Sequence, residues 1–145
     1  MNKPQQISLG LLFVIYTLSL LAETNLYRDS VNIKASDGKD LIMTFEEIER
    51  YEKYSIIKVK HISGASVALI MFVVKGDYKI AKIRGAKYFI NLKEWKDNDG
   101  SWMYKIGYSS TDNIDPITYF GKDIDTSKEL KFMSVKDYDM LWDVK

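Results

Sequence analysis

Eight consecutive apolar residues, Val67 to Val74, form the longest apolar run after residue 22. Ser63 precedes the run as a candidate N-cap. After it come Lys75, Lys79 and Lys82 on one helical face, with Tyr78, Ile80, Ala81 and Ile83 on the other. Gly85 then follows Arg84 where a left-handed glycine ends a helix. The pattern predicts one long helix over about 64–84. A strand pair, 67–74 and 78–83 turned at Lys75-Gly76-Asp77, stands as the alternative. A short apolar run is not assigned by periodicity alone, and Gly76 costs a helix about 1 kcal/mol relative to Ala.

Around this stretch the apolar positions recur with other periods. Tyr54 to Ile62 is rich in β-branched residues and predicts a strand, with Lys58 and Lys60 in solvent and Ile57, Val59 and His61 toward the core. Just before it, Thr44-Phe45-Glu46-Glu47 matches a capping box and predicts a short helix from Phe45 to about Lys53. Residues 86–95 and 101–108 predict a hairpin closed by Asn98-Asp99-Gly100, a type I turn with a left-handed glycine that pairs Asp97 with Ser101. In that register Glu94 meets Tyr104, Leu92 meets Ile106, and Ile90 meets Tyr108. Tyr88, Ile90, Leu92, Tyr104, Ile106 and Tyr108 then share one face. A short strand is expected at 31–35. Loops carry Asp112, Asp115, Asp123 and Asp125 through 109–128, a strand follows at 130–133, and a helix starts at Ser134. Together these elements predict an α+β fold: a largely antiparallel sheet with the 64–84 helix packed on it.

The N-terminus reads differently. Lys3 precedes a nearly apolar segment from Ile7 to Ala22, the pattern of a secretory signal peptide. Sixteen residues reach about 24 Å as a helix, short of a hydrocarbon core of roughly 30 Å. The expectation is a signal peptide over 1–22, cleaved near Ala22, with an uncleaved anchor as the alternative, followed by one domain over 23–145. That places the domain in the periplasm or outside the cell, and leaves the N-terminal segment as its sole membrane contact.

Charge narrows the partners. Residues 23–145 hold 20 acids and 20 bases, so no global field favours a nucleic acid. With no cysteine there are no disulfides, thiolate nucleophiles, thiolate metal sites or lipid-bearing N-terminal cysteine. His61 is the single histidine, which excludes paired-histidine metal motifs and leaves one imidazole base. It lies close to Ser63 and Ser66, and these three are the catalytic candidates, although no Gly-x-Ser-x-Gly elbow accompanies them. Asp97-Asn98-Asp99-Gly100 lacks the acid that a calcium loop needs two residues earlier, where Trp95 stands. No cofactor or metal site is expected.

Aromatic residues are more suggestive. Tyr27, Tyr51, Tyr54, Trp95, Trp102, Tyr119 and Trp142 exceed the needs of one small core, and an exposed set points to a protein, peptide or glycan contact. Trp95, Trp102 and Tyr104 near the hairpin tip are the candidate surface.

Ile80-Ala81-Lys82-Ile83-Arg84-Gly85-Ala86-Lys87-Tyr88-Phe89, with the strand to Trp95, resembles the helix-to-strand join of small uncharacterised exported bacterial proteins, many of them lipoproteins. The resemblance covers about a fifth of the chain and implies an α+β domain with a helix against a sheet. It brings no catalytic residue, and without a cysteine the lipid anchor does not carry over. The expected function is a non-enzymatic binding or envelope-associated role. The alternatives are a small exported hydrolase centred on His61 and an effector or inhibitor acting on another protein.

Overall fold

The computed structural model describes residues 25–34, 36–37 and 39–143. The apolar segment 7–22, with its expected cleavage point, lies outside the described residues.

Six strands form one antiparallel sheet in the order β1-β2-β3-β5-β4-β6: β1 (Arg28–Ile33), β2 (Leu41–Arg50), β3 (Tyr54–Ser63), β4 (Tyr88–Lys96), β5 (Trp102–Ser109) and β6 (Met133–Ser134). Three helices accompany them: α1 (Ser66–Ile83), α2 (Pro116–Phe120) and α3 (Val135–Trp142). α1 and α3 cover one face, where Met43, Phe45, Ile57, Val59, Ile106 and Tyr108 meet Phe72, Val73, Ile80, Ala81 and Val135. A smaller cluster on the other face seats Ile90 and Leu92 against Phe120.

Residues 45–50 are strand, not helix. Met43, Phe45 and Glu47 are all fully buried, and their period of two is that of a half-covered strand. A buried glutamate takes the third apolar position, which disguises the alternation. Thr44 has no capping role and lies opposite Lys60.

Ser63 is likewise not the cap of α1. Gly64 turns the chain at φ 122°, Ala65 is the capping residue without a side-chain bond, and the Ser63 hydroxyl is buried without a hydrogen-bond partner. At the other end Gly85 adopts φ 67°, and Ala86 donates to the Ala81 carbonyl at 2.9 Å. Of the three lysines on α1, Lys82 is engaged with α3 through Asp139 (3.0 Å) and Asp143 (3.1 Å).

Gly76 sits inside α1 and neither breaks it nor turns a sheet. A Cβ there would lie 2.5 Å from the Phe45 ring, so the missing side chain sets the distance of closest approach between α1 and β2. Gly76→Ala is therefore expected to destabilise by about 1–3 kcal/mol through overpacking, despite a propensity gain of about 1 kcal/mol. Urea unfolding measures it. Phe45→Leu should absorb much of the loss in the double variant, and equal losses in both backgrounds would remove the close-approach explanation.

The hairpin turn has the expected geometry: Gly100 at φ 81°, the Asp97 amide 2.9 Å from the Ser101 carbonyl, and Glu94 opposite Tyr104. Further along, a bulge at Leu92 changes the register. Asn91 lies opposite Ile106 and Lys93 opposite Lys105, so the expected Leu92–Ile106 and Ile90–Tyr108 pairs do not form. Tyr108 faces Phe89 instead, and Ile90 and Leu92 turn to the other face. The Leu92 carbonyl accepts from the Asp125 amide at 2.8 Å, so the segment after β5 supports the bulge. That same segment crosses the sheet on Phe120, packed so closely over Gly107 that a Cβ there would lie 2.6 Å from its ring.

Candidate functional site

The face opposite α1 is only partly covered. Beyond the reach of Phe120 it leaves an open groove of about 310 Å³. Strand register builds its floor: Ile56 on β3 pairs with Lys105 on β5, which lies opposite Lys93 on β4, and Met103 lies opposite Trp95 in the next row. Tyr51 and Tyr54 rise from the two ends of the β2–β3 turn, with ring centroids 4.6 Å apart and planes 28° from parallel. Trp95 and Lys93 form the other wall, and Asp123 enters from the segment after α2.

Charged groups hold these rings in place. Lys105 is almost buried; its ammonium lies 4.5 Å from the Tyr54 ring centroid and donates to the Asp123 carbonyl at 3.0 Å. Lys93 donates to the Asp123 carboxylate at 2.6 Å and sits 5.6 Å from the Trp95 ring. That bond is the chief reason the Asp123 carboxyl lies below its usual range. The Tyr51 hydroxyl donates to Glu49, which raises the Tyr51 phenol above its ordinary value. At the far end Lys58 bridges to Asp97 (3.2 Å) and Asp99 (2.9 Å), tying the hairpin tip to β3.

Of the expected contact residues, only Trp95 faces this groove. Trp102 and Tyr104 lie on the opposite face, packed against the α1 core, with Lys96 4.7 Å above the Trp102 ring. Burial pushes the Tyr104 phenol up to about 12. The three aromatics therefore do not share one surface, because adjacent strand positions alternate faces.

The expected catalytic residues lie together at the β3–α1 join without hydrogen bonds among them. His61 is exposed beside the irregularity at Ile42/Met43, rather than turned inward with Val59, and its Nε2 is 2.9 Å from the Gly64 carbonyl. Ser66 is exposed, and Ser63 keeps its hydroxyl buried. Of the three, only Ser63 lines a second open depression, about 730 Å³, together with Leu41, Ile42, Ile62 and Ala68.

Beneath α1 lies a polar interior. Fully buried Glu47 accepts from Arg50 Nε (2.8 Å) and Nη2 (2.5 Å), from Ser55 Oγ (2.6 Å) and from the Tyr27 amide (3.0 Å). Burial pushes its carboxyl up, but the Arg50 and Ser55 bonds outweigh that and leave it lowered. Arg84 donates to the Tyr51 and Glu52 carbonyls and lies over the Tyr108 ring at 4.6 Å. Asp77, also buried, has an Oδ1 without a partner, and burial alone raises its carboxyl well above the ordinary value. The Tyr108 hydroxyl is equally unpartnered.

Lys93 and Lys105 carried no signal in the sequence as site residues, because Lys105 reads as an outward strand position, and Asp123 reads as one of several loop acids that turn chemistry explains. Tyr51 and Tyr54 stood out only as members of an aromatic surplus. Among the described residues no group of three or more histidine or carboxylate side chains is arranged to hold a metal ion, and no helix is long and apolar enough to cross a membrane. No family model matches the chain, and neither does any curated protein or solved structure.

Proposed function

We propose that this chain is an exported, non-enzymatic binding domain that takes its ligand in the groove between Tyr54 and Trp95. The observation that supports it most is the pairing of open aromatic rings with charges that already have partners. The Tyr51–Tyr54 stack and Trp95 are oriented by Lys105 and Lys93, and Asp123 is a partner of both lysines. Preorganised rings on a rigid sheet lose little freedom on binding, which is what a recognition surface needs. Export is supported by Lys3 and the apolar segment 7–22. Sequencing the N-terminus of the fractionated protein tests it: a chain starting near Glu23 in the exported fraction is expected, and an intact Met1 on a cytosolic product overturns it.

Three tryptophans make the groove testable by NMR. Trp95→Phe assigns the Trp95 indole resonance in the full-length chain. Probes drawn from peptides, oligosaccharides and small aromatic compounds are then titrated. A binding probe should move Trp95 and leave Trp102 and Trp142 in place. If every bound probe moves Trp102 or the His61 region instead, or if none moves Trp95, the groove is not the site.

A further inference from the structure

Resting on that groove assignment, we propose that its ligand is a neutral glycan, stacked by a sugar ring against Trp95 or the Tyr51–Tyr54 pair. Three features of the groove converge on this chemistry.

The first is charge. The lining holds two acids, Glu49 and Asp123, and two bases, Lys93 and Lys105. Lys93 and Lys105 both reach Asp123, and Glu49 accepts from Tyr51. A charged ligand meets no net field here and would have to displace an existing ion pair.

The second is the backbone beneath it. An extended peptide recognised through its main chain adds to an exposed strand edge. The floor of this groove is β3 and β5, each paired on both sides in the sheet order, so the floor offers no free backbone donor or acceptor; β4, which carries the Lys93 and Trp95 wall, pairs with β6 only at Tyr88 and Phe89. Recognition over the floor therefore comes from side chains.

The third is the alternation of ring faces with fixed polar groups. An aromatic face is the negative end of a quadrupole and attracts the polarised C–H bonds of a sugar ring. The same sugar carries hydroxyls around its edge, each able to donate to Glu49 or Asp123 and to accept from Lys93. A wholly apolar partner would strip water from these four charged groups without replacing it. A volume of about 310 Å³ lies at the small end of ligand sites and suits one or two sugar rings of a longer chain.

The experiment titrates the full-length protein with cellohexaose, maltohexaose and chitohexaose, following the Trp95 indole signal, and repeats each titration at low and high salt. At least one neutral hexasaccharide is expected to shift Trp95 saturably, with affinity unchanged by salt because no ion pair forms or breaks. Measured by titration calorimetry, because these variants lack the indole, Trp95→Ala should weaken that binding by about tenfold or more, whereas Trp95→Tyr, which keeps a ring face, should retain most of it. Trp102→Phe, on the other face of the sheet, serves as the control and should bind as the parent does. If peptides move Trp95 and the hexasaccharides do not, the glycan is wrong while the groove stands. Binding that falls steeply with salt also overturns the neutral ligand. If neither class moves Trp95, both the glycan and the groove fail.

Discussion

Arg50→Met is expected to lower the unfolding free energy by about 3–5 kcal/mol, because it strands a carboxylate that has no access to water. Glu47 is 0% exposed and receives two of its four hydrogen bonds from Arg50. Removing the carboxylate instead is gentler. Glu47→Gln keeps one acceptor oxygen, so either Ser55 or the Tyr27 amide loses its partner, and it frees Arg50, whose side chain is 25% exposed, to reach solvent. A loss of about 1–3 kcal/mol is expected for that variant. The double variant should lose less than the two singles summed, since the pair shares one interaction. Urea unfolding at neutral pH checks all three, and an Arg50→Met loss under about 1 kcal/mol would show that water reaches the Glu47 carboxylate.

Asp77→Asn should do the reverse and stabilise the protein at neutral pH, by about 1–3 kcal/mol. Asp77 is 2% exposed, has an unpartnered oxygen, and is pushed up by burial without a compensating cation. Its sign with pH is opposite to that of Glu47. A carboxyl raised in the folded state favours folding below the unfolded-chain value of about 3.9, and that advantage is lost as pH rises through the folded value. Glu47, lowered in the folded state, stabilises above the unfolded value of about 4.3 and loses its effect as acid is added. Between pH 4 and neutrality the parent should therefore lose stability with rising pH through Asp77. Asp77→Asn should flatten that slope and leave the acid limb set by Glu47 intact. A variant with the same slope as the parent would show that Asp77 already ionises with solvent beside it.

Where local chemistry decides an element, it could be read from the chain. Gly100 and Gly85 occupy the left-handed conformations that their neighbours demand, and Ile57 and Val59 face inward on β3 as alternation requires. Elements decided by distant residues were hidden. A buried carboxylate at Glu47 is intelligible only once Arg50, Ser55 and Tyr27 surround it, so β2 imitates a helix start. Gly76 reads as a helix defect until Phe45 arrives from β2. The Leu92 bulge depends on the Asp125 amide, more than thirty residues downstream. The groove suffers most from this distance, because its charged members come from β2, β4, β5 and the loop after α2, and no short motif contains two of its walls.

The Leu92 bulge also bears on which genetic changes the hairpin can survive. Side chains on either side of it are read in opposite phase: odd-numbered Phe89 lies under α3, whereas odd-numbered Trp95 lies on the groove face. Substitutions at exposed Glu94 or Lys96 leave that phase alone. Losing the Leu92 codon would leave Asn91 opposite Ile106 and Lys93 opposite Lys105 in regular pairing, so the residues on both sides keep their faces and only the Leu92 contact with Phe120 is lost. The bulge is thus a spare residue in the register: an in-frame deletion of Leu92 removes one side chain from under Phe120, while both cores keep their faces.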